Sequence, residues 1–133
     1  KEMKAKLDDF VGGYATEEQT AQAIHDTYKR TGYVMDTHTA VASCVCAQYR
    51  EESGDETKCL IASTASPYKF VGSVMRAIDA EYAGRDEFEL VDELEKLSRV
   101  AVPNASRRSV MQKSFNTREC DADKMKRDSE RKY

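Results

Sequence analysis

Most apolar residues in this chain recur at spacings of three and four, the period of a helix with one buried face. Met3, Leu7, Phe10 and Val11 follow that period, which predicts an opening helix that ends at Gly12-Gly13. Thr16 and Gln19 stand at capping-box spacing. The helix they introduce is expected from about Glu17 to Arg30, with Ala21, Ile24 and Tyr28 on one face and Gly32 as its stop. Tyr33-Val34-Met35 is short and apolar, and reads as a brief strand or a buried connection. Asp36-Thr37-His38-Thr39 is polar and turn-like. Asp36 or Thr37 can cap the next helix, whose stripe is Val41, Cys44, Val45 and Tyr49. A polar loop over 51–56, containing Gly54, follows.

One stretch departs from the helical period. Cys59-Leu60-Ile61-Ala62 is a continuous apolar run, short enough for one strand buried on both faces. A central strand is therefore expected over 58–62, with Cys59 buried and inert. Ser63, Thr64, Ala65 and Ser66 then form a loop of small and hydroxyl-bearing residues. Ser66 suits an N-cap and Pro67 the first helical position. The whole reads as buried strand, hydroxyl loop and helix start. In open α/β sheets ligands collect at the carboxyl ends of strands, and helix N-termini favour anionic groups. The loop thus has two readings: a connection whose hydroxyls satisfy orphan amides, or a binding site.

After Pro67, Val71, Val74, Met75, Ile78 and Tyr82 predict an amphipathic helix ended by Gly84. Another begins near Asp86, with Leu90, Val91, Leu94 and Leu97 as its stripe and acidic residues in its first turn, where the helix dipole favours them. Val100-Ala101-Val102-Pro103 leads out of it. Further on, a short helix is expected over 106–113, an extended stretch over 115–120, and a charged helix or frayed tail over 121–132. One strand does not make a sheet. Either 33–35 and 115–120 pair with it, or its partners lie in sequence outside this chain. The expected class is α/β, helix-rich with few strands. Because the chain opens without Met and inside a helix, residues 1–133 are expected to be one segment of a longer protein.

Composition narrows the field. At 133 residues the chain is long enough for one core, and 40% apolar with 34% charged residues is a soluble balance. A net charge of −3 lacks the basic bias of nucleic-acid binders, and the basic residues of 113–132 alternate with acids. No apolar run approaches the ~20 residues of a membrane span, and no signal peptide is visible. Neither a nucleic acid nor a membrane is therefore expected as partner. Cys44, Cys46, Cys59 and Cys120 form no spaced framework, so free thiols in a reducing, cytoplasmic setting are expected.

Metal chemistry has little support. On a helix Cys44 and Cys46 point about 200° apart, so one ion cannot take both. His25 and His38 have no neighbours at ligand spacing, and His25, beside Asp26, reads as a surface residue. His38, in its turn at a helix start, either belongs to the cap or lines a site.

Two stretches carry a family resemblance. The run Tyr33-Val34-Met35-Asp36-Thr37-His38-Thr39-Ala40-Val41-Ala42 resembles the threonine synthase pattern Gly-Tyr-x-x-Asp-Pro-His-Thr-Ala-Val. The run Ala62-Ser63-Thr64-Ala65-Ser66-Pro67-Tyr68-Lys69-Phe70 resembles that family's Ser/Gly-Thr-Ala-His-Pro-x-Lys-Phe pattern. Their order and separation fit the C-terminal part of that enzyme. The resemblance implies a pyridoxal 5'-phosphate lyase of the tryptophan-synthase-β-like fold (fold type II), which turns O-phospho-L-homoserine and water into L-threonine and phosphate. It implies that Thr64 contacts the cofactor's pyridine nitrogen, with Ser63 beside it as a second cofactor contact and Asp36 and His38 lining the substrate site.

There are departures from the family. Thr37 stands where Pro is common, and Ser66 stands where His is common. The Schiff-base lysine of the family lies in an upstream Ser-Phe-Lys-Asp-like motif, and neither that motif nor the Gly-rich phosphate loop occurs here. Lys69 reads as structural or as an anion contact. No catalytic residue is therefore expected in this segment, and the segment alone is expected to be inactive. The rival readings are another lyase of the same fold, such as a dehydratase relative, and a non-catalytic helical interaction module.

Overall fold

Thr16 starts the first helix in a computed structural model that describes residues 9–104 and 107. Its hydroxyl accepts from the Gln19 N–H at 3.2 Å, and Gln19 Oε1 accepts from the Thr16 N–H at 2.8 Å, so the expected capping box is closed. The resulting helix, α1, spans Glu17–Thr31 and buries Ile24. Gly32 ends it at φ 72°, a left-handed conformation that glycine adopts without a Cβ clash. Val34 and Met35 are then buried without forming a strand, which settles that stretch as a connection.

Helix α2 spans Thr37–Ser53, with Asp36 as its N-cap and Ala40 fully buried. It runs three residues into the expected polar loop. Glu51 and Glu52 are good helix formers, and the Ser53 hydroxyl donates back to Tyr49 O at 2.6 Å. Only Gly54, at φ 70°, stops it.

Ser66 caps a 3₁₀ turn, Pro67–Phe70, which leads into α3, Val71–Ile78. Val71, Val74, Met75 and Ile78 are all buried. Tyr82 is not on this helix as expected. Asp79 leaves helical geometry, and its carboxylate takes the Glu81 N–H at 2.9 Å, starting a second 3₁₀ turn, Ala80–Tyr82. Asp competes with the helix ladder in this way wherever its side chain reaches nearby amides. Helix α4, Glu87–Ser98, is capped by Asp86 and buries Leu90, Val91 and Leu94. α1 packs on α2 and α3, and α4 packs on α3. Tyr68 ties the first 3₁₀ turn to the end of α4, donating from its hydroxyl to Val100 O.

Two expectations fail. The segment 58–62 is not a strand, and the described residues contain no β-strand at all, so the α/β class reduces to a helix-rich domain. Cys59 is exposed, Leu60 is 101% exposed and Ile61 is 40% exposed. A strand needs a neighbour for its backbone groups, and no described segment offers one. The opening helix also fails where it is described: residues 10–16 have no regular structure, and Phe10 and Val11 are exposed. Met3 and Leu7 lie outside the described residues. So do the elements expected over 106–113, 115–120 and 121–132, except Arg107, whose guanidinium pairs with Glu95 at 3.2 Å.

Candidate functional site

Asp36 is 2% exposed and organises the surface where the two motif stretches meet. As the N-cap of α2, its Oδ1 accepts from the backbone N–H of His38 at 2.9 Å and of Thr39 at 3.1 Å. Its Oδ2 accepts from the Thr39 hydroxyl and, at 3.3 Å, from the Ser63 hydroxyl. Thr39 Oγ1 and Ser63 Oγ lie 2.9 Å apart, so the three side chains form a closed ring. Burial pushes the Asp36 carboxyl up. The Thr39 hydroxyl, the amides of Thr39 and His38, and the Ser63 hydroxyl together outweigh it and hold the group below the usual carboxylate range. Asp36 is therefore an anion at neutral pH, at the helix end whose dipole favours one.

His38 stands on the outer side of this cap. Its side chain is 59% exposed, with Nδ1 3.6 Å from Asp36 Oδ1. Its ring lies 5.7 Å from that of Phe70, tilted by 37°. Lys69 in turn sits with Nζ 5.5 Å from the centre of the Phe70 ring. The first motif thus touches both ends of the second: Asp36 and Thr39 meet Ser63, and His38 meets Phe70.

Thr64, next to Ser63, is exposed, and its hydroxyl makes no hydrogen bond to any described residue. Ser66 acts as expected, accepting the Tyr68 N–H at 3.3 Å. Beside the cluster, a groove of about 880 Å³ runs between α2 (Val41, Ala42, Val45) and the segments containing Val11 and Leu60, with His38 at its edge.

The structure therefore brings Asp36, His38 and Ser63 together and leaves Thr64 at the margin, its hydroxyl without a hydrogen-bond partner among the described residues. The two motifs give Thr39 no role of its own. Its signal was the Asp-x-x-Thr spacing, which puts the hydroxyl one turn into α2, facing the cap. Among the described residues no helix is long and apolar enough to cross a membrane, and no group of three or more His, Cys, Asp or Glu is placed to hold a metal ion.

Fold and site define a small helical domain whose buried capping carboxylate joins two polar loops. The family described as threonine synthase, C-terminal, matches residues 39–115, and this chain belongs to it. Threonine synthase-like 1 from Mus musculus is 39% identical over 70 residues, covering 53% of this chain and 9% of that protein. The Homo sapiens protein of the same name is 36% identical over 70 residues, with the same coverage. Threonine synthase from Methylobacillus glycogenes is 36% identical over 76 residues, covering 56% of this chain and 15% of that protein. The chain thus spans only 9% to 15% of the length of these relatives. No solved structure matches it. The family match takes in Thr39 and the whole second motif; Asp36 and His38 lie just ahead of it.

Proposed function

We propose that this chain is the C-terminal part of a cytoplasmic threonine synthase, a pyridoxal-phosphate lyase that turns O-phospho-L-homoserine and water into L-threonine and phosphate. The observation that carries the reading is the ring of Asp36, Thr39 and Ser63, which holds the two motif stretches of the family side by side. Family membership adds to it.

The cofactor supplies an electron sink when bound. The residues present fit one edge of it. Thr64 is exposed and its hydroxyl has no hydrogen-bond partner among the described residues, and Ser63 anchors the backbone just before it. Thr64 would hold the pyridine nitrogen. A hydroxyl donates or accepts, so it can serve an unprotonated ring, whereas a carboxylate there would favour a pyridinium. The Ser63 hydroxyl, engaged with Asp36, keeps one lone pair for a further bond to the cofactor. Asp36 would position the loop, and His38, exposed and tilted against Phe70, would line the substrate side.

The anchoring lysine comes from elsewhere in the longer protein. Lys69 is exposed and rests over Phe70, an arrangement that suits an anion contact. The chain alone therefore makes no threonine. The test is a chimera in which the matching 76 residues of the Methylobacillus glycogenes enzyme are replaced by their counterparts from this chain. The reading expects the chimera to carry the cofactor's absorbance and to release phosphate from phosphohomoserine. A chimera that folds and holds the cofactor, yet turns over no substrate, contradicts it.

A further inference from the structure

A depression of about 380 Å³ lies between the first turns of α3 and the chain that follows Tyr82. Lys69, Ser73 and Arg76 line one wall. They follow one another at spacings of four and three, so the 3₁₀ turn and α3 present them on one face. Gly72 stands among them, and a Cβ built there meets nothing within 4 Å, so bare backbone and open space make up that wall. Arg85 comes from the second wall. Gly84, at φ 76°, turns the chain back, and the Arg85 N–H reaches Tyr82 O at 3.4 Å.

The three cations are little neutralised. Arg76 makes no hydrogen bond or ion pair with any described residue. The Lys69 ammonium rests over Phe70, and the Arg85 guanidinium lies 5.4 Å from the centre of the Tyr82 ring. Aromatic faces hold a cation in place without cancelling its charge. The ion-pair partner of Arg85, Glu89, stands 3.6 Å away, beyond ordinary hydrogen-bond length. Glu87 also lines the depression, so three positive charges face one negative charge there. The whole chain carries −3, and this surface runs against that balance.

We propose that the depression binds a phosphate dianion, either the free ion or the head of a small phosphate ester. Arg76 and Arg85 take its oxygens with their planar forks, Lys69 adds a point charge, and the Ser73 hydroxyl donates a further bond. The volume is at the small end of ligand pockets and leaves room beside Gly72 for a short organic group. Phe70 lines the depression and also meets the His38 ring at 5.7 Å, so an occupant sits next to the candidate functional site. Phosphate bound here needs no cofactor and no reaction, so its binding is independent of the threonine synthase reading.

Amide-resolved NMR of the full chain tests this, with inorganic phosphate and O-phospho-L-serine titrated separately at constant ionic strength. The expected result is a saturable shift of the Gly72, Ser73, Gly84 and Arg85 amides with at least one of the two probes. Arg76→Gln and Arg85→Gln should each weaken that binding about tenfold, the loss of one charge-assisted contact. Arg30→Gln makes the same change of charge on the last turn of α1, outside the depression, and should leave binding unchanged. Saturation by inorganic phosphate alone assigns the site to the free ion, and saturation by phosphoserine alone assigns it to an ester. Shifts that fail to saturate with either probe, shifts centred on other residues, or equal weakening by Arg30→Gln and Arg76→Gln overturn the proposal.

Discussion

Ser63 donates its hydroxyl proton to Asp36 Oδ2 at 3.3 Å, across 27 residues of chain. The bond joins a helix cap to a loop that has no regular structure of its own. Asp36 would cap α2 in an isolated peptide; its contact with Ser63 exists only once the domain has folded. The loop that carries Thr64 is therefore held by the charge of one buried carboxylate.

That charge makes stability depend on pH. The Asp36 carboxyl is held below its ordinary range in the folded state. A depressed carboxylate contributes stability that is present above its unfolded value, about 3.9, and lost as pH falls through its folded value. Asp36→Asn keeps a competent cap but removes the charge. At pH 7 the variant should be less stable by about 1.5–3 kcal/mol, the range for hydrogen bonds to charged groups. The gap should close as pH drops below about 4. Paired urea melts across that range check this. A gap of constant size would show that Asp36 acts by shape alone.

Gly13 lies against α2. A Cβ built there would meet Val45 Cγ1 at 2.7 Å and Cγ2 at 3.2 Å. Gly13→Ala should therefore cost about 1–3 kcal/mol, the range for overpacking. Val45→Ala opens space at that point, so the double variant should lose less than the sum of the singles. Thermal melts of the four proteins give the coupling, and strict additivity would place residues 9–13 away from α2 in solution.

Leu60 and Leu94 are the same residue type in opposite settings, 101% exposed and fully buried. Leu94→Ala removes buried methyl groups and should cost about 2–5 kcal/mol. Leu60→Ser should stay within about 0.5 kcal/mol of the parent. Equal losses in a denaturant titration would restore a buried strand over 58–62.

The contrast between those two leucines also marks where local pattern stops informing. The stripe Leu90, Val91, Leu94 and Leu97 repeats at helical period, so its burial could be read along one element. The caps at Thr16, Ser66 and Asp86 were equally legible, because each acts on amides two or three residues away. The run at 59–62 was not. Four apolar residues suit a buried strand only if a partner lies beside them, and partners are not a local property. Asp79 cut α3 short of Tyr82 because its carboxylate turned to a nearby amide, a choice the apolar stripe does not report. For the site, Asp36 and Ser63 could each be singled out from the two motifs. Their contact could not, because tertiary packing alone closes a gap of 27 residues.

Thr64 carries the central functional claim, and Thr64→Val keeps its shape while removing its hydroxyl. In the chimeric Methylobacillus glycogenes enzyme described above, the measurement is cofactor affinity together with steady-state turnover of phosphohomoserine. The account predicts a loss of about 1–3 kcal/mol in cofactor binding or in kcat/KM, the cost of leaving a buried ring nitrogen unpaired. Affinity and turnover both equal to the parent's would contradict it, and would make Thr64 only a residue of the turn.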